Sequence, residues 1–197
     1  MTYDYIMLGV GIVLIVGTGL FVASEFALVN LDRADLEARR ERGESRLSMT
    51  IGALKITSTH LSSAQLGITL TTLLTGYTME PAISNLLRPV LAGWGLPAAV
   101  VSPLAVVVSL VLATLLSMII GELVPKNFAL APPRRAAKLV MPFQVAFTTV
   151  FRRAIVLLNG SANGILRAMG VEPKEELSGA RSAEELSSLV RRSASAG

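Results

Sequence analysis

From Pro97 to Ile120 the chain runs 24 residues without a charged side chain, and its only hydroxyl-bearing members are Ser102, Ser109, Thr114 and Ser117. About 20 such residues cross the hydrocarbon core of a bilayer. Backbone polar groups there must be satisfied within the protein, so the run has to be a helix. It closes in Ile119-Ile120-Gly121-Glu122-Leu123-Val124-Pro125-Lys126. Pro125 has no N–H, so a helix continuing to it leaves the Gly121 carbonyl, four residues earlier, without a partner. A carboxylate beside a bare carbonyl at membrane depth points to function, because such groups persist only against protein or a wet cavity. The reading is a cation site; the plainer alternative is that Glu122 marks where the span enters cytoplasm.

The rest of the composition agrees with a membrane protein: 52% hydrophobic, 16% charged, mean hydropathy +0.59. With no cysteine, disulfides, thiolate metal sites and thiol nucleophiles are excluded. His60 is the single histidine, which leaves no material for a His-rich zinc or haem site and directs metal chemistry to oxygen ligands and hard cations. There is no HExxH and no serine with a plausible histidine base, so no enzyme is expected. The net charge of +4 marks cytoplasmic segments rather than a nucleic-acid surface, since no basic, aromatic-interleaved patch is present.

Hydropathy predicts an all-α integral membrane fold with spans at about residues 6–31, 61–79 and 97–121. No Lys or Arg precedes the first span and no small-residue cleavage pattern closes it, so it is read as a retained crossing. Gly9, Gly11, Gly17 and Gly19 smooth part of its surface for close helix packing. Residues 32–60 carry a helical pattern in which Leu31, Leu36, Leu47, Ile51, Leu54 and Ile56 build one or two amphipathic helices, with a solvated charged helix as the alternative for 32–46. The second span holds Ser62, Ser63, Gln65, Thr69, Thr71, Thr72, Thr75 and Thr78, so one face is hidden from lipid. Many of these hydroxyls are expected to bond back to their own helix. Ser63 and Gly67, at i and i+4, share a face, and the glycine admits a ligand or backbone closely.

Glu80-Pro81 reads as the start of a short external helix, making residues 80–97 a cap with Tyr77 and Trp94 at the interface. Basic residues concentrate in 31–60 and after the third span, which puts the amino terminus outside and the carboxyl terminus in the cytoplasm. Leu139 to Leu158 is long enough for a fourth crossing. Arg152 and Arg153 oppose it, at about 2.5 to 3.5 kcal/mol each near a helix centre, and Pro142 is expected to break its early part. Residues 134–170 are therefore read as juxtamembrane belt helices. From Glu172 the chain becomes a polar linker, and Ser182-Ala183-Glu184-Glu185 has capping-box spacing.

Mg²⁺ wants about six oxygens near 2.0 to 2.1 Å. The Glu122 carboxylate, the Gly121 carbonyl, the Ser24 hydroxyl and groups around Ser63 and Gly67 supply candidates, although Ser24 equally suits a bond to its own helix. One acid rather than several suits an ion that is held and released. Ser24 and Glu25 point about 100° apart on a helix, so Glu25 is assigned to a water cavity, a second ion or a helix partner.

The segments Phe21-Val22-Ala23-Ser24-Glu25-Phe26-Ala27-Leu28, Gln65-Leu66-Gly67-Ile68-Thr69 and Gly121-Glu122-Leu123-Val124-Pro125-Lys126 resemble, in order and spacing, the transmembrane domain of the CorC/CNNM (cyclin M) magnesium transporters. The resemblance covers residues 1 to about 175. It implies a plasma-membrane homodimer of three transmembrane helices plus a juxtamembrane belt, exporting Mg²⁺ in exchange for Na⁺, with the ion on Ser24, Ser63, Gly67, Gly121 and Glu122. Ile68 and Thr72 stand where animal relatives have asparagines, so the second span departs most from the family pattern. The family continues into a tandem CBS domain that binds ATP. Residues 176–197 resemble only the linker and opening of that domain, so no ATP binding is expected of residues 1–197. A membrane sensor or scaffold that binds Mg²⁺ without moving it is the other reading of the same residues.

Overall fold

A computed structural model describes residues 2–172, which are helical almost throughout, with no strand among them. The linker and capping-box helix expected near residues 176–190 lie outside the described residues. The first helix, α1 (Thr2–Val29), stops where Asn30 folds its Nδ2 back onto Phe26 O at 2.8 Å. Asp32 then caps α2 (Arg33–Glu41), accepting from the backbone N–H groups of Ala34 and Asp35 at 2.6 and 3.3 Å. Helix α3 (Ser48–Leu54) follows. Leu36, Leu47 and Ile51 bury together, with Leu31 and Leu54 against them, while Arg33–Glu37 and Arg39–Asp35 pair on the outer face of α2. The amphipathic reading of 32–60 holds in the form of two helices, with Ile56 left exposed.

The next element corrects the expectation of a separate short helix starting at Glu80-Pro81. Helix α4 runs unbroken from Thr57 to Gly93, with Pro81 and Pro89 inside it, so residues 80–97 do not make a separate cap. Contacts to α1 hold α4 on both sides of Pro81. Asn85 donates to Asp4 at 2.9 Å, Met79 fills the space over Gly11, Thr71 meets Thr18 at 2.7 Å, and Phe21 lies on Gly67. These pairs descend in one antiparallel register. Gly11 and Gly19 lie at close approaches, Gly17 only in ordinary contact with Thr71 and Gly9 at none, so two of the four glycines serve the close packing expected of them.

The third apolar run is also longer than expected. Helix α5 (Ala98–Leu116) passes into a π-helical segment (Ser117–Leu123) and on into α6 (Val124–Leu130), through Pro125. Among the described residues, two helical stretches are long and apolar enough to cross a membrane, Thr2–Val29 and Ala98–Leu130. Helix α4 has the length, about 55 Å at 1.5 Å per residue, but its hydroxyls lower its apolarity. Counting the bent pair α7 (Pro133–Val150) and α8 (Arg152–Ala168) as one span would make three. That pair bends by 76° at Phe151, immediately before Arg152 and Arg153. Pro142 does not break α7. The α7 face bearing Ala136, Ala137, Val140 and Met141 packs against Ala23, Ala27 and Leu28 of α1, which carries the helix past the proline.

Candidate ion-binding site

The site has to be assembled from α1, α4, the π segment and α7. On α1, Ser24 is fully buried and donates to Leu20 O at 2.8 Å, so its proton stays on its own helix and its oxygen keeps lone pairs. Continuing the α1–α4 register places Ser24 at the level of Ala64 to Leu66, between Ser63 and Gly67. Ser63 is likewise fully buried, and its partner comes from 85 residues away, with Thr148 Oγ1 of α7 at 2.8 Å. His60 Nδ1 is 3.0 Å from the same Thr148 oxygen, and Gln144 Nε2 donates to His60 O at 3.0 Å.

Gly67 does admit a close neighbour, and that neighbour is an aromatic ring. A Cβ there would stand 2.5 Å from three ring carbons of Phe21. Phe21 in turn sits between Phe143 and Phe147 of α7, with ring centroids at 4.8 and 4.6 Å. The Gly67 carbonyl accepts from Thr71 Oγ1 at 2.9 Å, and Thr71 meets the buried Thr18 hydroxyl. Thr75 and Thr78 bond back to Thr71 O and Leu74 O, the role expected for the hydroxyls of this helix.

The π segment brings in Gly121. Val124 N bonds Ile119 O, five residues back, and the next bond of that series would need an N–H on residue 125. The carbonyl that Pro125 deprives in this register is therefore Ile120, one residue before the Gly121 carbonyl expected from an α-helix. Ile120 O faces Gly19 of α1, 3.5 Å from where a Cβ would stand. Gly121 is buried against Ile15 O and Thr18. Thr18 precedes Ser24 by six residues, so Gly121 lies roughly 9 Å further along α1 towards its amino end. One turn before Gly121, the buried Ser117 Oγ has no hydrogen-bond partner among the described residues.

Glu122 is exposed on the single chain and makes no side-chain hydrogen bond or ion pair among the described residues. Around it stand the exposed side chains of Met118, Ile119, Leu123 and Val124. Ser63 and Gly67 thus stand one turn apart on α4, on either side of the level of Ser24, while Gly121 lies further towards the amino end of α1 and Glu122 turns outward. Glu25, partly exposed on α1, has Gln65 of α4 as a neighbour. Phe21, Thr18 and Thr148 were not foreseen as neighbours of the site. The four-residue spacing of Ser109, Ala113, Ser117 and Gly121 was available as a signal for the inward stripe of the third run; nothing in the sequence pointed to Thr148.

Together these features define a polytopic, all-helical membrane protein with a polar, small-residue interior. Residues 10–197 match the cyclin M transmembrane N-terminal domain, and the chain belongs to that family. It is 48% identical over 181 residues to a UPF0053 protein of Mycobacterium tuberculosis (strain CDC 1551 / Oshkosh), covering 92% of this chain and 40% of the relative. It is 35% identical over 182 residues to UPF0053 protein YhdT of Bacillus subtilis (strain 168), covering 92% and 39%. A UPF0053 protein of Synechocystis is 31% identical over 185 residues, covering 94% and 41%. The chain spans about two fifths of the length of these relatives.

Proposed function

We propose that this chain binds Mg²⁺ and passes it across the membrane, with Glu122 as the charged ligand and Ser24, Ser63, Gly67 and Gly121 as neutral oxygen donors. The observation that carries the reading is the π segment. It lies against Gly19 and Thr18 of α1, is cut off by Pro125, and holds Gly121 inward and Glu122 outward on consecutive residues. π-Segments inside α-helices recur at functional sites, and consecutive residues point about 100° apart. A one-residue change of register in Ser117–Leu123 rotates it by about 100° and carries the carboxylate towards α1, a two-state element suited to alternating access. The family is generally linked to Mg²⁺ transport, which supports the choice of ion.

The same proposal covers a homodimer, export coupled to Na⁺, and a plasma-membrane orientation with the amino terminus outside. The dimer is favoured because the apolar face around Glu122 is uncovered in one chain. The orientation follows the Lys and Arg of residues 33–55 and 126–138.

The test is Mg²⁺ flux from liposomes holding purified protein, beside thermal melts with and without Mg²⁺. Glu122→Gln keeps size and an oxygen but deletes the charge that offsets dehydrating a divalent ion. It is expected to lose most flux and most of the Mg²⁺-dependent shift while the metal-free protein stays folded. Glu25→Gln is expected to be milder. If Glu25→Gln loses the shift and Glu122→Gln keeps it, the carboxylates are wrongly assigned. Binding without flux in the wild type would favour a sensor.

A further inference from the structure

Thr148 sits where more groups converge than one hydroxyl can serve as a donor. Its Oγ1 lies 2.8 Å from Gln144 O, 2.8 Å from Ser63 Oγ, 3.0 Å from His60 Nδ1 and 3.4 Å from Gln144 Nε2. His60, Ser63, Gln144 and Thr148 are all buried, so water does not relieve the crowding. A hydroxyl has one proton and two lone pairs, and heavy-atom positions leave the direction of that proton open.

The choice among partners follows from what each can do. Gln144 O only accepts, and hydroxyls along this chain repeatedly bond the carbonyl four residues back, as in Ser24 to Leu20 O, Thr75 to Thr71 O and Thr149 to Val145 O. With the Thr148 proton on Gln144 O, the two lone pairs of Oγ1 face Ser63 and His60, and both must donate. Ser63 then spends its only proton on α7, and His60 donates from Nδ1.

A hydroxyl that ligates a cation does so through a lone pair and must turn its proton elsewhere. We propose that Thr148, accepting from His60 and Ser63 together, is a positioning residue that draws the Ser63 proton onto α7 and leaves the Ser63 oxygen ready to ligate Mg²⁺. This rests on the reading of Ser63 as a ligand. It makes α7 part of the ion site although α7 contributes no ligand. Had Ser63 instead bonded the Thr59 carbonyl one turn back, it would be indifferent to Thr148.

The experiment is Mg²⁺ titration of purified protein by thermal shift, with the half-saturating concentration as readout. Thr148→Val removes the hydroxyl at nearly constant shape and is expected to raise that concentration about tenfold, the scale of one net hydrogen bond. Thr148→Ser, which restores the acceptor, is expected to stay near wild type, and Thr148→Ala to behave as Thr148→Val should the valine not fold. Ser63→Ala is expected to weaken Mg²⁺ comparably, and Ser63→Ala with Thr148→Val to be no weaker than Ser63→Ala alone. A further loss in the double variant, or no rescue by serine, means that Thr148 acts through the fold and overturns the proposal. If Ser63→Ala weakens Mg²⁺ and neither Thr148→Val nor Thr148→Ala does, only the positioning role falls. If Ser63→Ala itself leaves Mg²⁺ unchanged, the ligand reading of Ser63 falls and takes this role with it.

Discussion

Helices α1 and α5–α6 have nearly the same apolarity, with mean hydropathies of 2.5 and 2.6 over their most apolar stretches, yet they occupy opposite situations. In α1, eleven of 28 residues are buried, because α4 covers one side and α6, α7 and the π segment cover others. In α5, four of 19 are buried, Val101, Ala105, Ser109 and Ala113, and the line continues at Ser117 and Gly121. Every fourth residue turns inward and the remainder of that helix is largely an outward apolar surface. Apolarity selects the bilayer as solvent but gives little drive between helices within it. Small residues that let backbones approach select the face. Lipid or a second copy is left to cover the rest.

The sharpest way to break this comparison is to fill a close approach. Gly67→Ala is expected to cost about 1 to 3 kcal/mol from overpacking, because the Phe21 ring it meets is held between Phe143 and Phe147 and cannot retreat. Gly76→Ala, on the same helix with nothing within 4 Å, is expected to be stabilising by about 0.5 to 1 kcal/mol from reduced chain entropy. Melting curves in one detergent compare the two; equal effects would mean that Phe21 does not occupy the Gly67 notch.

A second pair probes the two faces of α5. Ala113→Leu enlarges a residue that is 5% exposed and packs with Ile15 and Met79, for an expected loss of about 1 to 3 kcal/mol. Thr114→Leu, on the exposed side, is expected to stay within about 0.5 kcal/mol. Should Thr114→Leu prove as damaging, α5 has a partner on that face, and size-exclusion light scattering on the variant would show whether it is a second copy.

The smallest effect lies where Glu44 joins the α2–α3 loop to α7. Lys138 Nζ bonds its carboxylate at 2.7 Å and Arg134 stands at 3.6 Å, and these hold the Glu44 carboxyl below its ordinary value near 4.5. A depressed carboxylate contributes stability that is present above its unfolded value and lost as pH falls through its folded one. The Tm difference between wild type and Glu44→Gln is therefore expected to be constant at neutral pH and to shrink only below about pH 4.5. Both partners are partly exposed and screened by salt, so the difference itself should be small. A difference that grew on acidification would contradict the pairing.

Much of this architecture was legible in the chain because it rests on local chemistry. The apolar runs, the leucine pattern of α2 and α3, the back-bonded threonines and the smooth face of α1 depend on residue type and spacing alone. Asn30 and Asp32 set the first boundary locally, but at the prolines tertiary contact decided. Proline lowers helix propensity everywhere, yet α4 passes Pro81 because Gly11 and Asp4 of α1 grip it on both sides. Pro125 is passed because the π register shifts the missing bond to Ile120, where Gly19 leaves room.

The site divides in the same way. The sequence by itself determined that Ser24, Ser63, Gly67, Gly121 and Glu122 are among the polar and flexible positions inside apolar helices. Only the tertiary structure decided which of them meet. Phe21 fills the Gly67 notch, Thr148 reaches Ser63 across 85 residues, and the register of the π segment leaves Gly121 buried and Glu122 exposed. The physical reason is that residue identity sets what a group can bond, whereas helix register and crossing set what stands within bonding distance, and a register shift of one residue rotates a side chain by about 100°.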